Sequence, residues 1–292
     1  MSTPSSSLLW GFFSLHIIGG HILIPILLIL SFVRKNVTRN YVFINFCITW
    51  ILYSITFCFL LYAGEQTGPK PHWNICRTQA ALVYAVPILV ASASCALVFQ
   101  LWLDIRAADS KTGTRAFFSM RNILLISLPY VLAAGYLIGP SIVAITARKT
   151  ISRENGLFFC SSNLRALTVI SATSVAIIFL ITVTFEVLIA RLLAQRARVE
   201  NLGNWWKASG FFLRITLFTA YLLLSVAACG LEIAQPSNPV RIIIAACGPL
   251  VVFAVFGTNP ALYTFSKPNS STNSYASLRT SRSTDTKRNT AP

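Results

Sequence analysis

The residues of this chain that could take part in catalysis or metal binding are few and far apart. It has three histidines and eight acidic residues among 292. His16 and His21 are five positions apart, which does not place them on one tight face of a helix, and His72 is distant from both. Enzymes need acids, bases or nucleophiles within hydrogen-bond reach of one another. We therefore expect neither an enzyme active site nor a metal site.

The overall composition explains why such residues are scarce. Hydrophobic residues make up 55% of the chain and charged residues 11%, which is less than half the usual charged share of about 25%. The net charge of +16 would favour nucleic acid as the partner of a soluble protein. Membrane proteins, however, concentrate Lys and Arg in their cytosolic loops. The composition therefore predicts a chain embedded in the lipid bilayer, with no nucleic-acid partner.

Seven segments are long and apolar enough to cross a bilayer as helices. A bilayer core of about 30 Å needs about 20 apolar helical residues, and only helices satisfy their backbone in separate stretches of this length. The predicted fold is an all-α membrane protein with a seven-transmembrane-helix bundle over residues 8–265. The spans are predicted at about 8–33, 41–62, 78–103, 123–147, 167–190, 211–234 and 240–265.

The distribution of Lys and Arg predicts the orientation of this bundle. Seventeen of them lie on the side that holds the 34–40, 104–122 and 191–210 loops and the C-terminal segment, and seven lie on the other side. The positive-inside rule places the richer side in the cytosol. Residues 1–7 then form a short extracellular N-terminus, and residues 266–292 form a disordered, basic, Ser/Thr-rich cytosolic tail. We expect a multi-pass protein of the plasma membrane.

Two of the seven cysteines differ from the others in their predicted position. Cys76 lies just before the third span and Cys160 in the loop between spans four and five, both on the outer side. An oxidising compartment allows a disulfide to form and persist. We predict a Cys76–Cys160 bond that holds the outer loop over the mouth of the bundle, the alternative being two unpaired thiols. The other five lie inside spans, where cysteine packs as a small apolar residue.

A kinked polar segment, Asn259-Pro260-Ala261-Leu262-Tyr263, is predicted near the inner end of the seventh span. Pro260 removes a helix donor, and Asn259 can bond the freed backbone or a neighbouring helix. Tyr263 lies one turn further on. Such a segment can rest in two packings, which makes these residues candidates for an activation switch. The alternative is an ordinary proline kink whose tyrosine belongs to the interfacial aromatic belt.

These features together resemble the rhodopsin-like (class A-like) G-protein-coupled receptors. The resemblance covers residues 8–265 and rests on the seven spans, the outer N-terminus, Cys76, Cys160 and the Asn-Pro-x-x-Tyr segment. Arg39-Asn40-Tyr41 and the short termini are similar to divergent fungal members. The resemblance implies an unknown extracellular ligand bound among the outer halves of the helices. It also implies a heterotrimeric G protein bound in a cytosolic cleft that opens when helix six moves outward.

The chain departs from this family at several switch positions. The family's Asp-Arg-Tyr would fall near Gln100-Leu101-Trp102, and the nearest acid–Arg pair is Asp104 and Arg106, which we take as switch candidates. Trp50 stands where the family has a sodium-binding Asp, and span six lacks the family's Cys-Trp-x-Pro. Coupling to a G protein therefore rests on architecture. A seven-helix transporter or a non-signalling membrane scaffold is the alternative function.

Charged residues inside membrane spans are functional candidates when a partner can be named. Glu186 in span five and Arg214 in span six lie at similar depth, and we predict an ion pair that ties these helices together at rest. The alternative is that each side chain reaches separately to the membrane interface. Glu232, at the outer end of span six, is expected to pair with Arg241, a direct ligand contact being the alternative.

The ligand-pocket candidates lie at depths suited to a mostly apolar pocket with few polar groups, although helix packing is the alternative role for each. They are Tyr84, Tyr136, Thr168, Ser171, Tyr221 and Glu232. The basic outer loop 148–166 could attract an anionic ligand. Span 240–265 contains no Lys for a retinal Schiff base, so we expect no cofactor.

Overall fold

The computed structural model describes residues 6–33, 41–68, 70–107, 120–153, 158–199, 205–235 and 239–257. These residues are almost entirely helical. The helices, named here in chain order, are α1 (Ser6–Val33), α2 (Tyr41–Phe57, resuming as Phe59–Tyr62), α3 (Trp73–Ala107), α4 (Met120–Thr146), α5 (Arg165–Val199), α6 (Trp205–Ala234) and α7 (Val240–Gly257).

Within the described residues, six helices are long and apolar enough to cross a membrane, and Tyr41–Phe57 of α2 is a shorter apolar helix. The protein is therefore an all-α, multi-pass membrane protein, as the apolar segment lengths predict. The described helices begin and end within a few residues of most predicted span boundaries, but α3, α5 and α6 extend further. The predicted end of the seventh span, 258–265, lies outside the described residues. Proline does not break α3 or α4, since Pro87, Pro129 and Pro140 all lie inside them.

Helix α3 lies at the centre of the packing. Its most apolar stretch is 78% buried, whereas that of α4 is 22% buried, and α3 contacts α2, α4 and α5. Small buried residues such as Ala91 and Ser94 let neighbouring helices approach α3 closely, as is usual in membranes. Helix α4 instead exposes large apolar side chains such as Leu124 and Val131. Such a face suits contact with lipid tails.

Helix α1 packs closely against α2 and α7 through two consecutive glycines. A Cβ added at Gly20 would overlap the side chain of Ser54 in α2, and one at Gly19 would lie 2.8 Å from Cβ of Pro249 in α7. The close approach of the helix backbones therefore requires glycine at both positions. Both α1 and α7 also contain π-helical turns, at Ile17–Leu23 and Phe253–Gly257.

The connection between α4 and α5 forms a small two-stranded structure. Residues Arg148–Thr150 make a single 3-10 turn, after which β1 (Ile151–Ser152) pairs antiparallel with β2 (Ser161–Ser162). We call the described parts of this connection, 148–153 and 158–164, the loop hairpin. Its register pairs Ile151 with Ser162 and Ser152 with Ser161.

We predict that Gly20→Ala destabilises the protein, because the new methyl group overlaps Ser54 and must push α1 away from α2. Overpacking of this kind costs about 1–3 kcal/mol, or a fall in Tm of about 3–10 °C. The measurement is thermal unfolding of the purified protein in detergent. Gly135→Ala is the matched control, since a Cβ there meets nothing within 4 Å. Equal Tm values for the two variants would contradict the close α1–α2 packing.

Candidate ligand-binding cavity

The predicted disulfide between Cys76 and Cys160 is present. Cys76 lies in the first turn of α3 and Cys160 directly precedes β2. Their Cα atoms are 5.2 Å apart, and the residues are 84 positions apart in the chain. Both residues are buried, in a cluster with Leu60, Ala80 and Ile151. The bond therefore fixes the loop hairpin to α3, the most buried of the candidate spans among the described residues.

Gln79 makes a second connection between the loop hairpin and the helices. Its side-chain oxygen accepts a hydrogen bond from the backbone N–H of Cys160 at 2.9 Å, and its Nε2 donates to the carbonyl of Thr56 in α2 at 3.1 Å. The side chain is fully buried. Because it lies one turn after Cys76 on α3, it meets the loop beside the disulfide and satisfies a backbone donor that water cannot reach.

Tyr84 and Ser171 link the loop hairpin to α3 and α5. The hydroxyl of Tyr84 donates to the carbonyl of Ser162 at 3.0 Å, and the hydroxyl of Ser171 donates to the carbonyl of Tyr84 at 3.1 Å. Both residues are buried. The second strand of the hairpin is thereby held against α3 and α5, which both begin near it.

The residues that follow β1 and precede β2 in the loop hairpin are held by aromatic and polar contacts. Phe158 is fully buried and stacks on Phe12 of α1, with ring centroids 5.1 Å apart. Phe159 meets Phe57 of α2 edge-on at 5.0 Å. The Arg153 guanidinium donates to the carbonyls of Glu65 and Gly68 at 2.8 and 3.0 Å. The loop hairpin is thus attached to α1, α2, α3 and α5.

Beneath the loop hairpin lies a cavity of about 1320 Å³, which we call the capped cavity. Its walls come from α1, α2, α3, α5, α6, α7 and the hairpin itself. The lining residues that are exposed, among them Asn163, Arg165 and Ala234, lie at the disulfide end of the helices, so the cavity opens there. Small-molecule pockets typically measure about 300–1,000 Å³. The capped cavity is therefore large enough for a ligand of that size.

Five of the six pocket candidates chosen from the sequence line the capped cavity: Tyr84, Thr168, Ser171, Tyr221 and Glu232. Tyr136 lies elsewhere, with its hydroxyl 2.5 Å from that of Ser174 between α4 and α5. The structure therefore brings five candidates to one place, and that a ligand binds there stays a prediction.

The predicted pairing of Glu232 with Arg241 is confirmed. Arg241 Nη1 donates to Glu232 Oε1 at 2.8 Å, which joins the end of α6 to the start of α7 beside the cavity opening. The Arg241 side chain is 9% exposed and that of Glu232 is 36% exposed. Two further cations, Arg153 and Arg165, line the same end. The basic composition of loop 148–166 was the sequence signal for them.

The deep end of the capped cavity contains residues that we did not predict as pocket residues. Trp50 of α2 lines it and packs edge-on against Tyr53, with ring centroids 5.4 Å apart. A Cβ added at Gly248 in α7 would overlap both the Trp50 ring and the Tyr221 hydroxyl, so α2, α6 and α7 meet there. Among the described residues, the Trp50 Nε1 donor has no acceptor. In the sequence analysis, Trp50 was noted only because it stands where the receptor family that the chain resembles has an Asp.

The switch candidates Asp104 and Arg106 lie near the end of α3 and have different partners. Asp104 forms an ion pair with Arg121 at 3.5 Å, and Arg106 lies over the Trp102 ring at 4.8 Å. Asp104 and Arg106 are therefore partnered separately.

Glu186 also has a partner other than the predicted one. Its Oε2 accepts a hydrogen bond from the Thr219 hydroxyl of α6 at 2.5 Å, whereas Arg214 had been the expected neighbour. Glu186 is buried, with 3% of its surface exposed. Its hydrogen bond from the Thr219 hydroxyl connects α5 to α6. Asn259, Pro260 and Tyr263 lie outside the described residues, as does the segment 266–292.

No protein-family model matches the chain, and no curated protein matches it. The assignment of a function therefore rests on the geometry of the capped cavity and on the sequence features given above.

We predict that Gln79→Leu loosens the loop hairpin without unfolding the protein. The substitution removes the acceptor of the Cys160 N–H, and a buried donor without a partner costs about 1–3 kcal/mol. Amide hydrogen exchange in residues 158–162 should become about tenfold faster. Thr78→Ala is the control, since Thr78 is exposed and its hydroxyl bonds the carbonyl of Asn74 in its own helix. Unchanged exchange at these amides would show that Gln79 does not hold the loop.

Proposed function

We propose that this chain is a membrane receptor of the rhodopsin-like kind, which binds an extracellular ligand in the capped cavity and signals to a heterotrimeric G protein. The observation that carries the proposal is a cavity of about 1320 Å³ under a hairpin that a disulfide attaches to α3. A rigid cover over a deep, mostly apolar pocket suits selective binding of a small ligand.

The proposal includes a complete seven-span topology with an extracellular N-terminus. Counted together with its continuation Phe59–Tyr62, α2 runs over residues 41–62, about 33 Å of helix, which is enough for a bilayer core of about 30 Å. The disulfide supports an outer location for the loop hairpin, because such bonds persist in oxidising compartments. The 17-to-7 distribution of Lys and Arg supports the same orientation. The plasma membrane is the location we propose.

A ligand in the capped cavity would act on helix α6. Tyr221 lines the cavity, and Thr219, two residues before it, bonds Glu186 of α5. An outward movement of the inner part of α6 must lengthen or break this hydrogen bond. A ligand that favours the moved position through Tyr221 would shift the population toward it, by as much as its affinity differs between the two positions. The Thr219–Glu186 contact is therefore the proposed restraint of the resting state.

The experiment is co-expression of the chain with a panel of heterotrimeric G proteins, with basal nucleotide exchange as the measurement. We predict that Thr219→Val raises basal exchange about three- to tenfold, because it keeps the side-chain shape and removes a bond to a carboxylate. Asn259→Ala and Tyr263→Phe should lower exchange.

Thr184→Val is the matched control for the α5–α6 restraint. Thr184 is exposed on α5, and its hydroxyl bonds the carbonyl of Leu180 in its own helix, so basal exchange should stay at the wild-type value. Exchange that does not rise above background with any G protein, in cells that carry the chain at their surface, would contradict the receptor proposal. It would then favour the transporter or scaffold alternative.

A further inference from the structure

The charged residues that line the capped cavity all lie at its open end. Arg153 belongs to the loop hairpin, Arg165 is the first residue of α5, Glu232 lies in the last turn of α6 and Arg241 in the first turn of α7. Among the described lining residues, those nearer the middle of the helices carry no charge. The cavity is therefore polarised from a charged opening to an uncharged interior.

The balance of charge at the opening is positive. The carboxylate of Glu232 is paired with Arg241 at 2.8 Å. Arg153 donates to two backbone carbonyls, which are neutral groups, and Arg165 is exposed. A ligand that reaches the opening therefore meets guanidinium groups in excess.

The interior of the capped cavity is walled by apolar and aromatic side chains. Val83 and Val90 of α3, Val175 and Phe179 of α5, and Phe57 of α2 line it. Burial of apolar surface against such walls contributes about 25 cal/mol per Å². A small hydrophilic ion would leave these walls uncovered, so the interior favours a ligand with an extended apolar part.

We infer that the capped cavity binds an amphiphilic anion, whose apolar chain or ring system fills the interior and whose single carboxylate or phosphate lies at Arg165 and Arg153. Guanidinium groups match the geometry of both kinds of anionic group. Among the described lining residues, a cationic amphiphile would find one carboxylate, that of Glu232, which is already paired with Arg241. The inference rests on the proposed function for its role as a signal, whereas binding can be measured without any G protein.

The experiment uses the full chain in nanodiscs of phosphatidylcholine, which supply no net anionic lipid. Saturable binding of radiolabelled laurate is measured against empty nanodiscs, with competition by dodecyl phosphate, dodecanol and dodecylamine. Acetate and inorganic phosphate test the head group without the chain. Laurate or dodecyl phosphate should bind at least about tenfold more tightly than dodecanol and dodecylamine, which corresponds to one charged contact. The relative strength of the two anions distinguishes a carboxylate from a phosphate ligand.

The variant Arg165→Gln tests the charged opening without disturbing the core, because the side chain is exposed. We expect laurate to bind about tenfold more weakly, with dodecanol competition unchanged. Arg148→Gln is the matched control, since Arg148 belongs to the same loop and stacks on Trp73 at 4.4 Å outside the cavity lining. Its laurate affinity should equal that of the wild type.

Equal affinity for laurate and dodecanol, tighter binding of dodecylamine, or no saturable binding of any amphiphile would overturn the inference. These outcomes are separate from failure of the receptor proposal. Laurate binding without nucleotide exchange would support the ligand class and contradict signalling. Nucleotide exchange without laurate binding would support signalling and overturn the ligand class.

Discussion

The attachment of the loop hairpin to α3 is the constraint on which the rest of the site depends. A loop that folds over a helical bundle must satisfy its backbone donors and acceptors without water. Gln79 accepts from the backbone N–H of Cys160, and Tyr84 donates to the carbonyl of Ser162. The Cys76–Cys160 bond holds the loop to the same part of α3. Because α3 is the most buried of the candidate spans, the loop that is attached to it is also fixed in position. The capped cavity exists because the hairpin is held over the helices, with Phe158 packed on Phe12 at one edge.

The same helix contacts explain how the two ends of the protein could communicate. The deep end of the cavity lies where Trp50, Gly248 and Tyr221 meet, with too little space for even a methyl group at the glycine. Tightly packed contacts of this kind change between discrete arrangements and do not deform continuously. The Thr219–Glu186 bond lies just beyond, between α5 and α6. Trp50 and Glu186 therefore connect neighbouring helices at this depth, Trp50 through packing against Gly248 and Glu186 through its hydrogen bond with Thr219.

Apolar length and residue depth could be predicted from the sequence, and rotation about each helix axis could not. The disulfide could be predicted because counting the spans placed both cysteines on the same side of the membrane. The Glu232–Arg241 pair could be predicted because a short turn separates the two residues. Tyr136 has a suitable depth but faces Ser174 of α5, because packing sets the direction of a side chain around the helix. Packing also explains why Asp104 pairs with Arg121 and why Glu186 accepts a hydrogen bond from Thr219. The break at Cys58 and the π-helical turns of α1 and α7 arise from local packing that has no clear sequence pattern.

The most direct test of the central claim is cysteine accessibility in intact cells, with a charged, membrane-impermeant thiol reagent. Thr168→Cys places a thiol in the capped cavity, in a Cys229→Ala background because that native thiol also lines it. Ile170→Cys, two residues along α5 on the lipid-facing side, is the control. A cavity that opens to the outside under the loop hairpin predicts labelling of Thr168→Cys and none of Ile170→Cys. Labelling of Thr168→Cys only after permeabilisation, or equal labelling of both, would contradict it.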